Sequence, residues 1–538
     1  MRRTSRFLLS LFIVLVLATP VFANQINYQY SSKEVQSLLT LARLTGTALP
    51  SMTYPVSSEN IKKMLERIDS GSLSGEALRL YTGLKASLES PKTIFGTEES
   101  GFNLDIPMTV LQVWNNDSEY KFKDRAPLFS PNVDVYLTTY FAAEVDFDFK
   151  ADTNNYTDLK NGIKMLSPLN YLKDKAHEYP TKAYGSVGNG NLNLTIGRSR
   201  VSAGNGVTGN LELSENLLYQ DYAKFSVMKG PVSYDFTVLV YDSPYEEQKA
   251  YRYNFTDPYK AGYIHRFSTI FGNKVSVSMF EGIMTYSSNL LSDVRALNPF
   301  MMIHNTFTYE NGNVNNFFGL EVDASLPFGL NLDVQGFVDQ VKLGSESEDS
   351  GEPAFAVLAN LKGTWLVGEG ILSAYTEYSY VSTYNYLKEL NPPPELDGNA
   401  PAHYYQIDLI SANKYFPSGV EQNYIGYTYG SDVKVFGLGA SYKLDGREYL
   451  FDFMYRIKGE FGVGTNETRA IQNLTSHVPD EKTFSVALGS KGSIIKGIEY
   501  FAKVGYTKSE NYHHVSGATN SNPLWFAISF TIDPMNLK

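Results

Sequence analysis

Residues 133–149 read VDVYLTTYFAAEVDFDF, and this stretch decides the fold. Val133, Val135, Leu137, Thr139, Phe141, Ala143, Val145, Phe147 and Phe149 share one side of an extended chain, because successive side chains of a β-strand point to opposite faces. The other side carries Asp134, Tyr136, Thr138, Tyr140, Glu144, Asp146 and Asp148. One apolar and one hydrated face over 17 residues predict a single strand that crosses a membrane and continues beyond it. Strands of soluble sandwiches are usually much shorter.

The period of two extends in both directions. Phe102, Leu104, Ile106, Met108 and Val110 precede the run. After it, Phe225 and Val227 lead into Gly230 and Pro231, and alternation resumes through Tyr234, Phe236, Val238 and Val240. Gly272 and Asn273, and later Pro327 and Gly329, separate further pairs of alternating runs, so each reads as a hairpin turn. Ile425, Tyr427 and Tyr429 continue the theme, as do Phe484, Val486 and Leu488. The chain finishes with Leu524, Phe526, Ile528, Phe530 and Ile532 alternating with Trp525, Ala527, Ser529 and Thr531. A closed barrel satisfies its backbone hydrogen bonds between strands and needs no span of 20 apolar residues. At roughly 24 residues per strand and connection, the region from Phe102 to Asp533 holds about 18 strands. The expected fold is an all-β transmembrane barrel of about 18 antiparallel strands. The polar intervals around residues 154–182, 346–353 and 390–401 are expected to be loops or connections.

Composition agrees. The 538 residues are 43% hydrophobic and 14% aromatic, with 39 Tyr, 32 Phe, 42 Gly and no Cys. That aromatic content excludes the profile of a disordered chain, and the Gly count excludes a collagen. Without Cys there is no disulfide framework, thiolate metal centre or cysteine nucleophile. Tyr suits membrane girdles, since its ring lies in the apolar interface while its hydroxyl stays hydrated.

The N-terminus reads as an address. Arg2, Arg3 and Arg6 precede the apolar run Phe7 to Ala18, with Pro20 and Ala23 following, which predicts a secretory signal over residues 1–23. Its removal takes the formal charge from −11 to −14, and an acidic chain argues against a nucleic-acid partner. Residues 24–95 are expected to form a small periplasmic helical bundle and residues 96–538 the barrel. Val35, Leu38, Leu39 and Ala42 recur at helical spacing, Ser57 can cap a second helix carrying Ile61, Leu65 and Ile68, and Ala77, Leu80, Leu84 and Leu88 mark a third. Helices this short need a partner surface.

Two local blocks carry the candidate site residues. The first runs Gly197, Arg198, Ser199, Arg200, Val201, Ser202, Ala203, Gly204, Asn205, Gly206, then Leu211, Glu212, Leu213 and Ser214. Its glycines permit a compact turn, and its Arg residues can pair with acids or meet a hydroxyl-rich or anionic ligand. The spacing matches neither GxGxxG nor GxxxxGK[ST], so a phosphate cradle is not indicated. The second block contains Asp293, Arg295, Asn298 and Pro299 and reaches His304. Asp293 and Arg295 can form a lumenal charge pair, and Asn298 can brace the turn stiffened by Pro299. Arg198, Arg200, Asn205, Glu212, Asp293, Arg295 and Asn298 are thus candidates either for glycan contact or for structuring the lumen.

The signal, the helical head and these two blocks together resemble the Wzi family of outer-membrane capsule-assembly proteins. The matching stretches are Gly197 to Gly206, Leu211 to Ser214, and Arg295 through Asn298 and Pro299. The resemblance implies an 18-stranded outer-membrane barrel with a periplasmic helical bundle, acting as a surface lectin that holds exported capsular polysaccharide at the cell exterior.

None of the seven His residues lies in HExxH, the adjacent His513 and His514 sit in a polar segment, and no GxSxG elbow is present. No enzymatic activity, cofactor or metal is therefore expected. The expected function is a polysaccharide-binding or capsule-assembly scaffold in the outer membrane of a diderm (Gram-negative-type) bacterium. The alternative is a porin or small-solute channel, since inward polar residues line a pore as readily as a filled interior. Expected partners are outer-membrane lipid, surface polysaccharide and the barrel-assembly machinery, with the chain acting as a monomer and without nucleic acid.

Overall fold

The structure, a computed structural model, describes residues 25–89, 95–96, 100–114, 127–137, 140–151, 157–158, 164–165, 175–176, 180–241, 259–287, 298, 314–340, 353–386, 410–415, 419–461, 478–520, 523–534 and 537. The signal segment 1–23, Asp293, Arg295, His304 and most of the expected loops 154–182, 346–353 and 390–401 lie outside these residues.

The barrel begins with β1, whose halves Ser100–Asp105 and Met108–Trp114 are separated by Ile106 and Pro107. Then come β2 (Asn132–Leu137), β3 (Phe141–Asp146), β4 (Lys182–Gly188), β5 (Leu192–Ser199), β6 (Gln220–Lys229) and β7 (Val232–Tyr241). The middle staves are β8 (Tyr259–Phe271), β9 (Val275–Ser287), β10 (Val314–Ser325), β11 (Leu330–Gln340), β12 (Ala354–Val367) and β13 (Gly370–Val381). The last are β14 (Val433–Leu444), β15 (Arg447–Lys458), β16 (Glu481–Ile495), β17 (Ile498–Glu510) and β18 (Leu524–Ile532). Each pairs antiparallel with its neighbours, and β18 closes on β1 from Ile532 opposite Met108 to Phe526 opposite Trp114. Twenty-two segments hydrogen-bond into this sheet. Phe95–Gly96, Thr157–Asp158 and Lys164–Met165 are marginal two-residue pairings and β1 counts once, so 18 staves form the closed ring among the described residues. This agrees with the expected number.

Connections from even to odd strands are short, including the expected turns at Gly230–Pro231, Gly272–Asn273 and Pro327–Gly329, and those from odd to even strands are long. Alternation separates two faces. Met279, Leu320, Leu488 and Leu524 are exposed outward, while Ser278, Glu321, Thr483 and Ala527 are buried inward.

Two expectations change. Residues 133–149 are not one strand but the hairpin of β2 and β3, with Val133 opposite Val145 and Leu137 opposite Phe141. Odd residues pair with odd residues across this reversal, so the apolar face keeps its phase and the turn leaves no mark in the pattern. Residues 425–430 are not a strand either; they fold into the lumen.

The head contains α1 (Lys33–Thr45), α2 (Ser58–Leu65) and α3 (Gly75–Glu89). Ser32 caps α1, Gly46 ends it at φ 60, and Ser57 caps α2 by accepting from the Asn60 amide. Val35, Leu38, Leu41, Ile61, Met64 and Leu88 form its core, which extends onto Met228 and Ile371 of the barrel. The head seats on the short turns: Ala48 N donates to Asn273 O at 2.8 Å and Glu76 N to Glu369 O at 3.2 Å.

Candidate functional site

The inward face has two layers. Towards the head it is polar, with Ser233, Asp235 and Thr237 on β7, Arg266 and Ser268 on β8, Asn331, Asp333 and Gln335 on β11, and Asn360 and Lys362 on β12. Towards the long connections the same strands turn apolar inside, with Leu239, Ile264, Phe337 and Leu358. A water-filled pore gives no reason to bury apolar side chains on its inner wall. Each layer instead receives its own insert.

The polar layer receives the strap between α1 and α2. Thr53 N donates to Asp235 Oδ2 at 2.8 Å, Lys224 donates to Thr53 O at 2.6 Å and also to Pro55 O, and Ser268 Oγ donates to Ser51 O at 2.6 Å. The apolar layer receives residues 201–219, the connection between β5 and β6. Val201, Ala203, Leu211 and Leu213 are buried against Leu239, Phe280, Phe317, Phe337 and Val435. Strap and plug join directly, Ser202 pairing with Tyr54 and Ala203 with Thr53 in a short antiparallel bridge.

Polar groups fasten the plug. Glu377 of β13 accepts from Val207 N at 2.7 Å, from Thr208 N at 2.8 Å and from Asn360 Nδ2 at 2.7 Å. Gln335 accepts from Leu211 N at 3.0 Å and donates to Asn210 Oδ1 at 3.1 Å. Gly204 has φ 109, and a Cβ there would stand 2.6 Å from Asn210 Oδ1, so the turn needs glycine. Two further segments close over the plug: Tyr386 Oη donates to Leu211 O at 2.7 Å, Asn216 Nδ2 donates to Tyr424 O and Gly426 O, and Ser214 N donates to Ile425 O.

At the centre Arg266, 1% exposed, bridges Glu212 of the plug and Glu321 of β10, and donates to Ser51 Oγ of the strap at 2.6 Å. One guanidinium thus joins plug, wall and head. Burial pushes the Glu212 carboxyl up to about 7; Arg266 opposes the rise and Glu321 adds to it.

The structure brings together Glu212 and Asn205 among the sequence candidates. Asn205 donates to Asp323 Oδ2 at 3.3 Å, and its carbonyl accepts from Lys362. Arg198 is placed elsewhere. Asn193 and Thr195 of β5 point inward to Gln25 and Asn27, so Arg198 lies on the outward face. There it forms two 2.7 Å bonds with Asp221 opposite it in register and stacks over Tyr219 at 3.9 Å. Arg200 is half-buried where the chain turns inward, and Asn298 is exposed. Asp293 and Arg295 lie outside the described residues. Sequence reasoning missed Arg266, Glu377, Gln335, Tyr386 and Tyr427. The available signal was the run Val238, Leu239, Val240, Tyr241, apolar on both faces at one strand end.

Beside the plug a cavity of about 970 Å³ remains inside the barrel, bounded by Arg43 of α1, Lys362, Tyr375, Asp452, Lys503 and Trp525 among others. Lys503 pairs with Asp452 at 2.7 Å.

No protein-family profile and no curated protein matches this sequence. Among solved structures the chain is similar to Wzi of Escherichia coli, described as an outer membrane protein involved in group 1 capsule assembly and a carbohydrate-binding β-barrel. Identity is 12% and the TM-score 0.60, over 95% of this chain and 99% of that one. It is also similar to OccK2 of Pseudomonas aeruginosa, solved with glucuronate, at 9% identity and TM-score 0.42 over 80% of this chain and 98% of that one. An anion-selective porin of Comamonas acidovorans has 9% identity and TM-score 0.35, over 81% and 100% of the two chains. The closed ring, its two-faced strands and the likeness spanning nearly the whole of both chains give one conclusion: this chain is an outer-membrane β-barrel.

Proposed function

We propose that the chain is a sealed barrel that holds polysaccharide at the cell surface. The observation that carries this reading is the plug, residues 201–219, laid into an apolar layer of the lumen and fastened by Glu377, Gln335 and Arg266. Such packing suits a permanent closure: buried Leu side chains stabilise by about 1.5–3 kcal/mol each, and Glu377 and Gln335 of the wall are taken up by the plug. The carbohydrate binding described for Wzi supports a glycan as ligand. In this reading the barrel is a monomer, inserted by the barrel-assembly machinery.

The cavity of about 970 Å³ favours a second reading, a small-solute channel narrowed by the plug. Planar-bilayer recording of the purified chain separates the two. A sealed scaffold gives no steady conductance, whereas a large stable open current sinks it. Deleting the chain from cells that make a surface polysaccharide tests the scaffold itself: polymer is expected in the medium, and undiminished retention on the cells overturns the reading.

A further inference from the structure

The cavity is walled unequally. On one side stand Arg43 and Lys362. The Arg43 guanidinium, with five N–H donors, makes a single side-chain bond of 3.5 Å to Thr40 Oγ1. The Lys362 ammonium donates to Asn205 O. Neither forms an ion pair with any described residue. The acids behind them are engaged by neutral donors: Asp323 accepts from Asn331 at 2.9 Å, Asp333 from Gln335 at 3.1 Å, and Glu377 from the plug amides. Of the acids that line the cavity itself, Asp452 pairs with Lys503 at 2.7 Å and Glu448 with Lys491 at 3.1 Å, and Glu215 accepts from Ser31 N at 3.4 Å, so Arg43 and Lys362 are its cations without a carboxylate partner among the described residues. Burial pulls the Arg43 pKa below its ordinary value, as expected of a guanidinium removed from water without full compensation. The Ser202 and Thr364 hydroxyls border the same cavity, are 1% and 2% exposed, and have no hydrogen-bond partner among the described residues. Tyr375, Tyr429 and Trp525 add aromatic surface.

A buried ammonium such as Lys362, a half-buried guanidinium such as Arg43 and buried hydroxyls are costly when their partners do not replace water in full. Here all of them border a space large enough for several sugar rings. We propose that this interior cavity binds an acidic saccharide, its carboxylate drawn to Arg43 and Lys362, its hydroxyls to Ser202 and Thr364, and a ring face to the aromatic wall. The inference rests on the carbohydrate reading and adds to it a charge class and a place inside the barrel, beside the plug. Carboxylates form short charge-assisted bonds with both cation types, and the guanidinium fork suits them best.

The test is calorimetric titration of the full chain, in detergent at low salt, with tetragalacturonate and with its neutral methyl ester. The acid is expected to bind at least about tenfold more tightly than the ester. The double variant Arg43→Gln, Lys362→Met should lose that preference while keeping the heat-modifiable gel mobility of a folded barrel. Equal binding of acid and ester by the unaltered protein overturns the proposal without recourse to any variant. A preference that survives the double substitution also overturns it. If neither probe binds while cells still retain their polysaccharide, this site falls and the scaffold reading stands; a steady open conductance removes that reading instead.

Discussion

Arg266 is the residue that ties plug, wall and strap together. Its guanidinium faces two carboxylates, Glu212 and Glu321, and a strap hydroxyl in a space with almost no solvent. Replacing it with Met leaves both acids buried without a cation, a loss of about 3–5 kcal/mol for a buried pair broken on one side. We expect Arg266→Met to expose residues 201–219 to added protease while the barrel stays folded; unchanged protection would mean that apolar packing and the Glu377 and Gln335 hydrogen bonds hold the plug without it. Glu212 sets a pH dependence. Its carboxyl ordinarily titrates near 4.5 and is pushed up to about 7 in the docked plug, chiefly by burial. The docked state therefore binds the extra proton between those values, so docking is strongest below about 4.5 and weakens as pH rises through 7. Hydrogen exchange across the plug, corrected for intrinsic rates, should report faster opening at pH 8 than at pH 5. Glu212→Gln should flatten that difference, and an unaltered pH profile in this variant would remove Glu212 as its source. Glu212 was legible in the sequence because an acid between Leu211 and Leu213 in a glycine-rich block is conspicuous. Arg266 was not, since 54 residues separate it from Glu212 and only closure of the sheet brings them together.

At the scale of elements, the plug is a connection that has become a core. A strand's period of two records which side faces lipid, and it carries no information about what fills the other side. For that reason the strands were readable, and the inward course of residues 201–219 and 424–432 was not. The hairpin of β2 and β3 was hidden by an apolar phase that passes unbroken from Val133 through Phe149. The head was easier, because helical spacing and the Ser57 cap are local signals. Plug and strap share a two-pair bridge at Ser202–Tyr54 and Ala203–Thr53, so the plug docks partly on the head. Replacing residues 201–219 with a short Gly/Ser connection should leave the ring intact, since β5 and β6 pair along eight positions without it. It should also produce steady single-channel currents, where the complete chain is expected to give none. A barrel that remains silent after the deletion would show that the head and the segment around Tyr427 seal the lumen by themselves.

For the whole molecule, the two solvents of the barrel impose opposite demands on neighbouring positions. The aromatic content that excludes disorder is divided between them: Phe267, Phe318, Phe484 and Tyr449 lie exposed on the outer face, while Phe280, Phe337, Tyr386 and Tyr427 pack inside. The same division predicts how the fold responds to charge. Leu488, at the middle of β16, is 58% exposed and points outward; Ser485, three residues earlier, points inward and borders the cavity. A Lys on the lipid face near the bilayer midplane costs about 2–4 kcal/mol, because hydrocarbon cannot solvate an ammonium. A Lys at 485 can reach the polar cavity that already holds Lys503 and Asp452. Leu488→Lys should therefore lower the stability of folding into lipid vesicles by that amount, read from urea titration. Ser485→Lys should cost less than about 1 kcal/mol, as expected for substitutions away from such features. Equal tolerance of the two would mean that the outer face at β16 does not meet lipid. The reverse order would mean that its two faces had been exchanged, and with them every inward residue on which the plug and the cavity depend.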